Sequence, residues 1–235
     1  MLVAAAVCPC PPLLVPEMAA GAAGELDAAR TACVDALGLL AASRPDRLYV
    51  VGPADEGARG TFPAGSTGSF AGFGVDLSVQ LGTGPAVERR LPTSLAIAAW
   101  LLRRADWADA PVEGLGVEEP LEAGRCASTG RQLAAAADRV ALLVMGDGSA
   151  CRTLKAPGYL DERAAAFDAE AARALGAADV GALLGLDENL AYELKAAGRA
   201  PWQVLAGAAE GADLDGRLLY EAAPYGVGYF VAAWS

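Results

Sequence analysis

The chain is built from short apolar runs, each closed by glycine or proline, alternating with segments whose apolar residues recur at helical spacing. Leu2–Val7 is the first such run. Pro9, Pro11 and Pro12 close it, which predicts a buried strand. An Ala-rich segment follows from about Pro16 to Ser43, where Leu26, Ala29, Cys33, Leu37 and Leu40 share one face and predict a long amphipathic helix. Arg47–Val51, set between Pro45-Asp46 and Gly52-Pro53, predicts a second strand. The strand-helix-strand order points to a parallel pair in an α/β sheet.

Glycine, serine and proline dominate from Gly52 to Gly84. Within that stretch Val75–Leu81 alternates enough to predict a strand, which leaves residues 55–72 as a long loop. Leu95–Arg104 and Gly124–Ala137 carry helical patterns, and Val112–Val117 reads as a short strand. Val140–Met145 (VALLVM) reads as an interior strand that ends at Gly146-Asp147-Gly148-Ser149. After the turn Ala156-Pro157-Gly158-Tyr159, helices are predicted near 161–176, 179–185, 187–198 and 201–209. Leu218–Ala222 and Gly228–Trp234, parted by Pro224-Tyr225-Gly226, predict two closing strands around a tight turn. No repeat or linker interrupts the series, so one domain is expected over residues 1–235.

Composition narrows the function classes. A chain of 235 residues buries about three quarters of its unfolded surface without help from disulfides or metal. The net charge of -11, with basic residues scattered, argues against a nucleic-acid partner, because phosphate binding needs a positive patch. No apolar stretch approaches the length of a membrane span, and no basic residue precedes the short run at Met1–Val7 as a signal peptide would require. Cys8, Cys10, Cys33, Cys126 and Cys151 make an odd, unpaired set that suits a reducing compartment, and a cytoplasmic protein with no membrane partner is expected.

The chain contains no histidine, which removes the commonest general base and the commonest metal ligand. Asp147 and Ser149 follow an interior strand and should lie at its carboxyl end, where open α/β sheets place their ligand crevices. The alternative reading is that this Gly-rich stretch only makes a turn. Arg152 and Lys155, just downstream, add the charge that an anionic ligand would need. Cys8 and Cys10 stand one residue apart, too close to close a tetrahedral site, and no second Cys pair completes one. Gly82-x-Gly84 and Gly146-x-Gly148 are fragments of nucleotide loops that continue into neither a complete dinucleotide motif nor a phosphate-loop lysine.

Three segments together resemble the class III extradiol ring-cleavage dioxygenases of the LigB-like group, which includes Memo-type proteins. They are Val7-Cys8-Pro9-Cys10-Pro11-Pro12-Leu13-Leu14-Val15-Pro16, Met145-Gly146-Asp147-Gly148-Ser149-Ala150, and Tyr220-Glu221-Ala222-Ala223-Pro224-Tyr225-Gly226-Val227-Gly228-Tyr229. Phe167-Asp168 and Gly198-Arg199-Ala200-Pro201-Trp202 match in order and spacing. The resemblance implies a three-layer α/β/α fold with a mostly parallel, mixed central sheet and a cleft near Cys10, Gly52, Asp147 and Glu221. It also implies Fe(II) held by two histidines and a glutamate, a donor set suited to ferrous ion and dioxygen.

This sequence departs from that pattern. Cys10 stands at the first family histidine, Gly52-Pro53-Ala54-Asp55-Glu56 offers no imidazole at the second, and Ala150 replaces the acid-base histidine. Glu221 is the counterpart of the glutamate ligand. The expectation is therefore a non-dioxygenase member, with no iron cofactor, that binds a small-molecule ligand or a partner through Cys10, Asp55, Asp147, Ser149, Arg152 and Glu221. A homodimer is compatible with this reading. The alternative is an enzyme with rewired chemistry, using Cys10 as nucleophile or Asp147 and Glu221 as acid and base. Asp55, Glu56 and Glu221 could also form an all-oxygen cation site, and Tyr159, Tyr225 and Tyr229 could line the same pocket.

Overall fold

The apolar runs become the strands of a seven-stranded sheet because nearly every residue in them is buried on one face or the other. The computed structural model describes residues 1–235 except Ala20. In chain order its elements are β1 (Leu2–Cys8), α1 (Pro16–Ala19), α2 (Asp27–Ala42), β2 (Arg47–Pro53), β3 (Gly60–Phe62), β4 (Ser66–Ser69), β5 (Ser78–Gln80) and β6 (Val87–Arg90). They continue with α3 (Thr93–Arg104), β7 (Val112–Val117), α4 (Ala123–Ala134), β8 (Val140–Met145), α5 (Ala164–Gly176), α6 (Val180–Leu184), α7 (Glu188–Glu193), α8 (Arg199–Ala209), β9 (Gly216–Ala222) and β10 (Tyr229–Trp234).

The large sheet runs β3-β7-β2-β8-β1-β10-β9. Its four central strands, β7, β2, β8 and β1, are parallel, while β3, β10 and β9 pair antiparallel. The mixed α/β architecture expected from the sequence is present. Alternate residues supply two cores, as the period of a strand requires. Ala4, Ala6, Leu48, Val50, Leu143 and Val231 pack with α2 and α3 on one face. Ala5, Val7, Val51, Leu142, Val144 and Phe230 pack with α5 and α8 on the other. Strands covered on both faces read as continuous apolar runs, which is why Val140–Met145 carries no polar residue.

Two expectations are corrected. The single helix over Pro16–Ser43 is broken: α1 ends at Ala19 and α2 starts only at Asp27. Gly21 and Gly24 weaken the helix there, and Arg30, buried in α2, reaches back to the carbonyls of Leu14 and Ala23. The loop expected at 55–72 contains β3 and β4. Strand β4 joins β5 and β6 in a second, three-stranded sheet. Its Ser-Thr-Gly-Ser sequence carries no apolar alternation to read. The sheet is held instead by buried Phe62, Phe70, Val79 and Leu81 around it.

Candidate functional site

The carboxyl ends of β1 and β8 lie side by side, with Cys8 opposite Met145. Prolines flanking Cys10 prevent β1 from continuing, so the chain turns at the sheet edge and exposes the Cys10 amide toward the loop after β8. That N–H donates to Asp147 Oδ1 at 2.8 Å. Among the described residues no protein group hydrogen-bonds the other carboxylate oxygen, and Asp147 is partly exposed. Burial lifts this carboxyl to about 7, with the Cys10 N–H opposing the rise.

Tyr229, the first residue of β10, borders the same spot at 3% exposure. Its hydroxyl has no hydrogen-bond partner among the described residues. Burial, then the neighbouring Asp147, holds the phenol well above its ordinary range. Tyr225 stands in the preceding turn and donates its hydroxyl to Glu25 at 2.9 Å. Tyr159 is exposed.

A second layer fixes these groups. The Gly148 N–H donates to Gly228 O at 2.7 Å and the Gly228 N–H to Ser149 O at 2.9 Å, which stitches the loop after β8 to the start of β10. Behind the stitch is the fully buried Asp168 of α5, which accepts from the Ser149 N–H at 2.7 Å and from Arg152 Nη1 at 2.8 Å. Burial raises the Asp168 carboxyl, and the Ser149 and Arg152 donors offset part of that rise. A Cβ on Gly228 would lie 2.5 Å from Asp168 Oδ2, and one on Gly148 would lie 2.7 Å from Oδ1. Only glycine permits this approach.

Of the residues singled out from the sequence, Cys10 and Asp147 meet directly, with Ser149 and Arg152 behind them. Ser149 is buried; its hydroxyl accepts from the Cys151 N–H at 3.0 Å and faces Leu194 O. Arg152 pairs with Asp168, so its guanidinium is committed, while Lys155 is exposed. Asp55 and Glu56 are exposed beyond the end of β2, next to the β7 side of the sheet, and Glu221 is exposed on β9 opposite Phe230. Burial, reinforced by Asp147, pushes the Cys10 thiol well above its ordinary range, so it stays protonated at neutral pH. Cys8 lies against Cys33, which together with burial raises its thiol as well. Gly82 and Gly84 both take positive φ in the turn after β5. Among the described residues no group of three or more Cys, Asp or Glu is arranged to hold a metal ion.

Sequence reasoning missed a second buried cluster beyond β7. Arg199 is 1% exposed and donates to Glu119 Oε1 at 3.0 Å, to Gln203 Oε1 at 3.0 Å, and to the carbonyls of Leu121 and Glu119. The other Glu119 oxygen, Oε2, is buried without a partner. Burial outweighs the adjacent Arg199 and lifts this carboxyl to about 7. Arg199 sits in the Gly-Arg-Ala-Pro-Trp run, but nothing in the spacing reveals a partner eighty residues earlier.

Two of the raised carboxyls, Asp147 and Glu119, give the fold a pH signature. Asp147 and Glu119 keep protons in the folded chain up to about pH 7, whereas in the unfolded chain they release them near pH 4. Their contribution to stability is therefore fully present below about pH 4 and is lost as pH rises to about 7. The urea midpoint is expected to be lower at about pH 8 than at about pH 5, and Glu119→Gln should narrow that gap. A midpoint that rises toward pH 8 and ignores the substitution would refute this assignment.

A groove of about 1110 Å³ lies at the opposite end of the strands between the small sheet and the end of α3, lined by Thr67, Gln80, Arg103, Trp107 and Val112. Among the described residues no helix is long and apolar enough to cross a membrane.

No protein-family model matches the chain, and no curated protein matches it. Among solved structures, the crystal structure of uncharacterized protein JW3007 from Escherichia coli K12 is similar over 99% of each chain, with a TM-score of 0.55 and 15% sequence identity. At that identity the likeness concerns the fold, an α/β architecture shared from end to end.

Proposed function

We propose that the cleft at the carboxyl ends of β1 and β8 binds a small organic molecule, in a divergent relative of the class III extradiol dioxygenases that does without their iron. The observation that carries this reading is the pairing of Cys10 N–H with Asp147, near Tyr229, whose ring is buried and whose hydroxyl no protein group engages among the described residues. The three segments that carry the family resemblance are far apart in sequence, yet Cys10, Asp147-Gly148-Ser149 and Gly228 are joined by direct hydrogen bonds. Such convergence at strand ends is where α/β sheets place their ligand sites. The residues do not fit ferrous ion. Imidazole is absent from the chain, the Cys10 thiol is held protonated, and Asp55, exposed beyond the end of β2, stands apart from Glu221, exposed on the edge strand β9.

The test is a titration with catechol followed through the backbone amide signals. Shifts are expected at Cys10, Gly148 and Gly228, and Asp147→Asn should weaken binding about tenfold or more, since it loses the charged oxygen. The asparagine keeps an oxygen acceptor for the Cys10 N–H, so the loop should hold its shape. Silent amides at those three positions, or shifts confined to the groove beside α3, would overturn the reading.

A further inference from the structure

The Asp147 carboxylate has one oxygen tied to the Cys10 N–H and the other without a protein partner among the described residues. The cations nearest the cleft are already committed. Arg152 is engaged by Asp168, and Arg30 by Asp27 and the carbonyls of Leu14 and Ala23. The groups that face Asp147 are the Cys10 thiol and the Tyr229 phenol, with Tyr225 and Tyr220 next to Tyr229. All four are neutral or negative in every protonation state, so none can balance a negative charge.

A carboxylate half-removed from water is costly without a counter-charge and becomes favourable when a hydrogen-bonded cation joins it. The three classes of small ligand therefore differ sharply. An anion meets Asp147 with like charge and finds Arg152 and Arg30 already paired. A neutral molecule leaves the carboxylate unpaired. An ammonium group supplies the charge that the open Asp147 oxygen lacks and several N–H donors besides, with the unpartnered Tyr229 oxygen in the same neighbourhood. Aromatic rings add an attraction for cations that they do not offer anions.

We infer that the Asp147–Tyr229 cleft selects a small organic cation, with a primary ammonium group as the feature recognised. This rests on the cleft being a binding site, as proposed above, and it names the ligand class for that site.

Three probes of matched shape separate the possibilities: benzylamine, benzyl alcohol and benzoate, each titrated into the whole chain at about pH 8, where Asp147 has given up its proton, again with catechol alongside, and read at the amides of Cys10, Gly148 and Gly228. Benzylamine is expected to bind about tenfold or more tightly than benzyl alcohol, and benzoate to leave those amides unmoved. Asp147→Asn should abolish the preference for the amine, while Tyr229→Phe should weaken amine binding by a smaller factor and leave benzyl alcohol nearly unchanged. Catechol or benzyl alcohol binding as well as benzylamine would overturn the ligand class and leave the cleft standing. Amine shifts that survive Asp147→Asn would mean diffuse attraction to an acidic chain and would also overturn it. If no probe moves the three amides, the binding-site reading falls with it.

Discussion

Replacing Asp168 with alanine is expected to lower the unfolding free energy by about 3–5 kcal/mol, the cost typical of leaving one member of a buried ion pair alone. Asp168 is fully buried, and its two oxygens answer two separate demands: the Ser149 N–H on one side and the Arg152 guanidinium on the other. Alanine orphans both donors and opens space beside Gly148 and Gly228, whose lack of Cβ exists to admit this carboxylate. Asp168→Asn should cost less, because its amide oxygen still accepts from Ser149, though its amide nitrogen then confronts Arg152 as donor against donor. Urea unfolding midpoints of the two variants check the order. A loss under about 1 kcal/mol in the alanine variant would remove Asp168 from its role as anchor of the site loop.

A comparably large loss is expected when Gly207 is replaced by leucine. Helix α8 crosses α4 so closely that a Cβ on Gly207 would lie 2.2 Å from Ala127 O, and one on Gly130 would lie 2.0 Å from Val204 O. Backbone atoms cannot rotate away as a side chain can, so the helices must separate along a face that also carries Trp202, Val204 and Leu205. The cost should be about 3 kcal/mol or more, at the upper end for overpacked cores. Gly38→Ala in α2 is the matched contrast. It is an exposed helical glycine with nothing within 4 Å of its Cβ, and the substitution should stabilise by about 0.5–1 kcal/mol. Equal and small effects at the two positions would mean that the α4–α8 contact is looser than this geometry.

The central strands were legible because their burial is written locally. Val112–Val117 and Val140–Met145 have the bounds that their apolar runs predict. The second sheet was not, since β4 is built from Ser, Thr and Gly and becomes a strand only through partners supplied by β5 and β6. In the site, Cys10 and Asp147 were visible because each follows a strand that had already been read. Asp168 and the Glu119–Arg199 pair were not. Their contacts join elements 19 and 80 residues apart, and no pattern in a single chain specifies such distances.

By itself the sequence determined the alternation of strands and helices, the acidic balance and the want of any imidazole, since each is a property of residue type and neighbour spacing. Tertiary structure alone decided which carboxyls leave water. Asp55 and Asp147 are the same residue type, each just past the end of a central strand, yet one is exposed and the other is half-buried beside Cys10 and Tyr229. Desolvation depends on everything packed around a group, so only the folded arrangement sets the proton affinity and charge that a ligand would meet.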